Sequence, residues 1–167
     1  MKVTSKEANK LLKELEAERN RLLTEQEQAS TFLASVGEDV ESCRPNFDYE
    51  KSKEAIKEVE SKIIKLKHAI NVFNTNTTVD GYDKTIDEIL VYIPQLTQLA
   101  NRLARMQNRL PKEREGTMYR SNVIDYRYTN YDIDKVKEDY KAVVDELHKC
   151  QIALDTTNVN KTFDVKI

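Results

Sequence analysis

Tryptophan is absent from this 167-residue chain, and glycine and proline number three each, cysteine two and histidine two. Each scarcity excludes something. The isolated glycines, Gly37, Gly81 and Gly116, cannot build a phosphate-cradling loop. Two histidines do not furnish the paired Glu-x-x-His motifs of a metal-carboxylate bundle. His68 follows Lys65 rather than an acid. His148 follows Asp145, but Leu147 and Cys150 hold the inward positions there, which leaves Asp145 and His148 on the surface. Cys43, in a connection, and Cys150, on an apolar stripe, make no disulfide framework and suit a reducing cytoplasm. No motif marks a cofactor, a metal or a catalytic nucleophile. The longest purely apolar run, Ile89 to Ile93, is far short of the roughly 20 residues that span a bilayer. The opening MKVTSKEANK has no apolar stretch behind its lysines and does not read as a signal peptide. On that reading the N-x-T triplets at Asn76 and Asn160 are not glycosylation sites. A net charge of −2 points away from general binding to nucleic acid or to acidic lipid.

What is present is an apolar repeat, spaced alternately three and four residues apart, in four blocks. The first runs Ala8, Leu12, Leu15, Arg19, Leu22, Gln26, Ala29, Leu33, Val36; the second Tyr49, Ser52, Ile56, Val59, Ile63, Leu66, Ile70, Phe73. The third runs Ile86, Ile89, Ile93, Leu96, Ala100, Leu103, Gln107, Leu110; the fourth Ile133, Val136, Tyr140, Val143, Leu147, Cys150, Leu154, Thr157. This period marks helices that pack side by side. The expected fold is mainly α, a single-domain antiparallel four-helix bundle with heptad-type packing and short β-strands or hairpins at its ends. Helices are predicted at about 4–36, 48–74, 85–110 and 132–158. Thr4 with Glu7 and Thr85 with Glu88 read as capping boxes, Asn46 or Asp48 and Asp132 as caps of the other two, and Gly37 as a C-cap. Pro94 predicts a kink inside the third helix. Arg19, Gln26 and Gln107 occupy core-type positions, where buried polar groups set register and partner number.

Period-two alternation predicts strands at 121–131 and 162–167, and Thr77–Val79 resembles a short strand entering the Asp80-Gly81 turn. If the helices alternate up and down, the C-terminal strand meets Thr77–Val79 and Lys2–Thr4. Strand 121–131 lies at the other end, with residues 112–120, the 37–47 connection or another subunit as its partner. An unpaired edge is a liability, which makes a homo-oligomer an expectation.

One charged constellation stands out. Arg102, Arg105, Arg109, Lys112, Arg114 and Arg120 face only Glu113 and Glu115 in the same stretch, a net of +4, and Tyr119, Tyr126, Tyr128 and Tyr131 follow. Cations interleaved with aromatics can hold a phosphate backbone and stack bases. The plainer reading is a solvated helix face, with cations favoured near a helix C-terminus and tyrosines covering a bundle end.

From Ile70 onward the runs INVFNTNTTVDGYDKTIDEILVYIPQL, RLARMQNRLPKERE and VIDYRYTNYDIDKVKEDY resemble a small bacterial family labelled septicolysin-like or of unknown function. The likeness extends over nearly the whole chain. Its most specific parts are Asn71, Asn74, Asn76 and Thr77 with the following turn, and Asn130, Tyr131 and Asp132. The resemblance implies a helical protein with small strand additions and carries over no catalytic residue. The label also implies pore formation, yet the sequence has no spanning helix and no long amphipathic hairpin with a lipid-facing side.

Four readings follow. The first is a non-enzymatic cytoplasmic interaction or assembly protein that self-associates, working through Asn71–Thr85 and Tyr119–Asp132. The second is a nucleic-acid binder using the 102–128 face. The third is a bundle that holds a polar ligand or cation near Asn71, Asn74 and Asn76, with Asp80 or Asp83; ordinary turns use the same residues. The fourth is the membrane-active protein of the family label.

Overall fold

Where the apolar repeat is densest, the helices form as the spacing requires. The computed structural model describes residues 1–115 and 124–167. The order is β1 (Lys2–Thr4), α1 (Ser5–Ala29), α2 (Val40–Cys43), α3 (Tyr49–Asn76), α4 (Ile86–Gln107), β2 (Lys112–Arg114), β3 (Tyr126–Tyr128), α5 (Ile133–Asn160) and β4 (Thr162–Asp164). The described residues are thus mainly helical, with short antiparallel strand pairs. None of their helices is long and apolar enough to cross a membrane. The chain divides into two compact units, Met1–Asn76 with Thr157–Ile167, and Thr77–Thr156.

In the first unit α3 buries Ile56, Val59, Ile63, Leu66, Ile70 and Phe73, which is the predicted stripe. Its N-terminus is capped by Asp48, whose carboxylate accepts from Lys51 N at 3.1 Å. α1 lies antiparallel to it. Arg19 Nε meets Glu60 Oε1 at 2.8 Å, and Lys67 Nζ meets Glu16 Oε1 at 2.8 Å, so a step back along α1 is a step forward along α3. Arg19 is thereby satisfied at a half-exposed position rather than buried. Val3, Ala8, Leu66, Ile70 and Val165 form the core cluster, with Leu12, Leu15 and Phe163 packed against it. Burying such side chains contributes about 1.5–3 kcal/mol each.

α1 ends at Ala29 rather than near Val36. Its antiparallel partner begins only at Tyr49, so a longer α1 would extend past the first turn of α3 and present its stripe to water. Leu33 and Val36 are accordingly 96% and 108% exposed. Ser30 closes the helix, its Oγ donating to Glu27 O at 2.6 Å. The connection carries the unpredicted α2, and Gly37 is a turn residue rather than a helix cap: at φ 95° it is third in the turn in which Glu38 N donates to Ser35 O at 3.1 Å.

The C-terminal strand is shorter than its alternation suggests and pairs antiparallel with β1, Val3 opposite Phe163. It does not pair with Thr77–Val79. Met1 N donates to Val165 O at 2.7 Å and Val165 N to Met1 O at 2.9 Å, extending the pair. Phe163 stacks on Phe73 with ring centroids 4.5 Å apart.

In the second unit Thr78 bridges Thr85, Val79 N donates to Lys84 O and Ile86 N to Thr77 O. Gly81, at φ 84°, is third in the turn closed by Tyr82 N on Val79 O at 3.0 Å, the position a type II turn reserves for positive φ. α4 buries Ile86, Ile89, Leu96, Ala100 and Leu103 and continues through Pro94. Val136, Cys150 and Leu154 are the buried positions of α5 in this unit. Both capping boxes form: Thr4 N donates to Glu7 Oε2 at 2.8 Å and Glu7 N to Thr4 Oγ1 at 3.2 Å. The corresponding bonds of Thr85 and Glu88 are 2.7 and 3.3 Å. Asp132 caps α5, accepting from Asp134 N at 2.9 Å.

The predicted strand 121–131 is confined to Tyr126–Tyr128 within the described residues, paired antiparallel with β2. Tyr119, Arg120 and the rest of 116–123 lie outside them. The partner is therefore the chain's own 112–120 segment, one of the options the sequence left open, and no second subunit is needed to complete this pair.

Candidate functional site

β2 and β3 form the second unit's most exposed regular element. All six residues are exposed. The register sets Lys112 against Tyr128, Glu113 against Arg127 and Arg114 against Tyr126. Strand side chains alternate between faces. One face therefore presents Lys112, Arg114, Tyr126 and Tyr128, two cations and two rings with no carboxylate. The other presents Glu113, Arg127 and Glu115, where Arg127 Nε and Nη2 each donate to Glu115 at 2.7 Å. That bidentate contact holds the Glu115 carboxyl below the usual range. With Asp125, opposite Glu115, on the same side, the second face carries three carboxylates against one guanidinium, a local −2, while the first keeps a local +2.

Lys112 sits against both rings, its Nζ 4.0 Å from the Tyr126 centroid and 5.5 Å from that of Tyr128. Tyr126 and Tyr128 are still 46% and 64% exposed. Glu115 N donates to Asp125 O at 2.9 Å and Thr129 N to Pro111 O at 3.1 Å. Antiparallel ladders alternate, so the pair between them that exchanges bonds is Glu113 with Arg127. The amides of Lys112, Arg114, Tyr126 and Tyr128 then point away from the hairpin, along its two outer edges. Among the described residues no third strand joins this pair.

Three bonds tie the residues after β3 to the last turn of α4 and the connection that follows it. Besides Thr129 N, Thr129 Oγ1 donates to Leu110 O at 2.7 Å and Tyr131 Oη to Met106 O at 2.8 Å. Tyr131 is thus an anchor rather than a free surface group, whereas Asn130 is exposed. Arg109 and Tyr128 help line a cavity of about 250 Å³ at this junction. Arg102 and Arg105 on α4, and Arg109 just beyond it, are exposed, and the first two line an open groove of about 490 Å³ with Gln95 and Gln98.

The asparagine-rich segment does not form one site within either unit. Asn71, Asn74 and Asn76 end α3 in the first unit, and Thr77 opens the second. Asn76 Nδ2 donates to Val72 O at 2.8 Å, and Thr75 Oγ1 to Asn71 O at 3.0 Å, ordinary helix-end contacts. Thr77 O accepts from Ile86 N at 2.9 Å. Asn74 Oδ1 is buried without a hydrogen-bond partner, as is Asn158 Oδ1 in the same unit. Among the described residues no group of three His, Cys, Asp or Glu side chains is placed to hold a metal ion, and Asp145 and His148 are both exposed.

One constellation has no signal in the sequence. The turn at Gly81 delivers the Tyr82 phenol to the α5 carboxylate Glu146, beside Cys150. Burial and the Glu146 charge push the phenol up to about 12. Burial and the same charge raise the Cys150 thiol. A buried thiol held protonated is a poor nucleophile, and the trio brings the 77–85 loop against α5.

No protein-family profile and no curated protein matches this sequence. Among solved structures, the crystal structure of a functionally unknown conserved protein from Corynebacterium diphtheriae is similar to this chain with a TM-score of 0.60 and 14% identity, covering 98% of this chain and 100% of that one. At that identity the likeness speaks for the fold and leaves function to the surface just described.

Proposed function

We propose that this chain is a non-enzymatic interaction and assembly protein that works through the β2–β3 hairpin and self-associates along its edges. The observation that carries this reading is a two-stranded hairpin with all six residues exposed, standing at the end of α4 with both outer edges unpaired among the described residues. A lone pair of three-residue strands is marginal in water. Its stability rises when another strand or a partner covers it, and outward amides are a template for pairing with a second chain. A reducing cytoplasm suits the two free thiols, Cys43 and Cys150. The finer architecture, one antiparallel four-helix bundle with heptad packing, belongs to the same proposal and rests on the spacing of the buried stripes.

Light scattering on the eluting protein across a tenfold concentration range tests the reading. A discrete oligomer is expected. Arg114→Pro deletes one outward amide at an edge that tolerates proline, and should shift the protein toward monomer while helical content is unchanged. A wild-type protein that stays monomeric at the highest concentration contradicts self-association.

A further inference from the structure

We infer that the hairpin face formed by Lys112, Arg114, Tyr126 and Tyr128 binds single-stranded nucleic acid. The inference rests on the reading of the hairpin as a working surface and names the ligand class for its face, whereas self-association uses its edges. Three observations carry it. The two rings share one face and lie two residues apart on one strand, about 6.8 Å, which leaves room for a planar base on each. Tyr126 and Tyr128 are both exposed, although a tyrosine that only finished a core would be covered. The flanking charges on that face are Lys112 and Arg114 alone, while the carboxylates of Glu113 and Glu115 fall on the opposite face, where Arg127 engages Glu115.

This combination selects among anionic partners. An acidic peptide would need the cations but has no use for exposed, evenly spaced rings. Duplex nucleic acid offers its phosphates but hides its base faces. A single strand uses both, with phosphates on the cations and bases on the rings. Lys112 now rests against the rings on a flexible stem; when a base takes a ring, its ammonium is free to move onto a phosphate. Arg102 and Arg105 add exposed cations on α4 of the same unit, while Arg109 lines the cavity it shares with Glu113 and Arg127 of the opposite face. The net charge of −2 does not oppose this, because the recruiting field is local to the face.

The test is fluorescence anisotropy of labelled RNA and DNA single strands of about 12 nucleotides with the full-length protein, against a duplex of the same length. Single strands should bind at low salt and more tightly than duplex. If Lys112 and Arg114 alone meet phosphates, affinity should fall about sevenfold between about 50 and 200 mM salt; if Arg102, Arg105 and Arg109 join, it should fall about 130-fold. Tyr126→Ala with Tyr128→Ala should weaken binding tenfold or more, and the corresponding Phe pair should retain it, because stacking needs the ring and not the hydroxyl. Lys112→Gln with Arg114→Gln should flatten the logarithmic salt slope by about 1.4. Circular dichroism confirms that each variant keeps its helices. Absence of binding at about 20 mM salt, where the phosphate contribution is strongest, overturns the inference. So does binding that ignores the Tyr→Ala pair, or displacement by polyglutamate with equal potency, which would make the face a general polyanion site. The same variants run for oligomeric state separate the two claims: loss of nucleic-acid binding with the oligomer intact leaves the assembly reading standing on the edges alone.

Discussion

β1–β4 and β2–β3 are the same device used in opposite ways. Each is an antiparallel pair of three-residue strands. In β1–β4 the inward residue Val3 is 8% exposed, the pair continues into Val165 at 1%, and Phe163 stacks on Phe73. In β2–β3 every residue is exposed, and the side chains are lysine, arginine, glutamate and tyrosine. The first pair is held by what it covers, since burial of apolar area is the dominant favourable contribution to folding. Among the described residues the second is held by its own ladder, one bidentate ion pair, the contacts of Lys112 with the two rings and the bonds of Thr129 and Tyr131 to residues 106–111. A short strand pair that covers nothing and displays a patterned face is better suited to meeting a partner than to completing a fold.

The comparison can be broken most forcefully in the core under β1–β4. Leu66 is fully buried there. Leu66→Ala should cost about 2–5 kcal/mol. Tyr128→Ala on the other pair should cost under about 0.5 kcal/mol. Chemical denaturation of both variants checks the contrast; similar losses would mean that the hairpin is a structural element after all.

Next in size are the caps. Thr4→Ala and Thr85→Ala should each cost about 0.5–2 kcal/mol by the same assay. Their partners add a pH dependence. Backbone and hydroxyl bonds from Thr4 lower the Glu7 carboxyl pKa, and those from Thr85 lower that of Glu88. A carboxyl whose folded pKa is depressed contributes stability above its unfolded value, and that contribution is lost as pH falls through the folded value. Stability should therefore decline as pH drops below the ordinary glutamate range, and more shallowly in the Thr→Ala pair, where the acid limb loses this component.

Smaller effects attend the tie between the 77–85 loop and α5. One tyrosine should ionise late, near 12, in a spectrophotometric titration of the folded protein, and that late step should vanish in Tyr82→Phe. Cys150, fully buried and raised by burial and Glu146, should react with a thiol reagent only on unfolding, whereas the partly exposed Cys43 reacts in the native protein. Smallest is the Arg19–Glu60 pair. With side chains 41% and 44% exposed, a double-mutant cycle should give at most about 1 kcal/mol of coupling.

These contrasts also show what the sequence makes legible. A stripe is readable where both members of a helix pair run alongside each other. The α3 positions from Ile56 to Phe73 are all buried, as the repeat requires. The repeat fails at Leu33 and Val36, because burial depends on how far the partner helix reaches, which no local pattern encodes. Caps were legible at Thr4, Asp48, Thr85 and Asp132, since a cap and its partners lie within one turn. Long-range partners were not. The repeat marks Arg19 as polar on an apolar face without pointing to Glu60, and nothing local connects Tyr82 to Glu146. At the hairpin the residue types were visible in advance, but not their division between two faces. That division follows from pairing Lys112 with Tyr128 rather than with a neighbour in register, and alternation alone does not fix register.

We have proposed that the β2–β3 hairpin is where this protein meets its partners. Native mass spectrometry of the untagged protein, isolated gently at low salt and compared with Arg114→Pro and with Tyr126→Ala plus Tyr128→Ala, tests it most directly. The account predicts a discrete oligomer for the wild type, a shift toward monomer on Arg114→Pro, and any co-isolated nucleic-acid mass lost on the tyrosine pair. Wild type and both variants giving the same species, with the same bound mass or none, would contradict it.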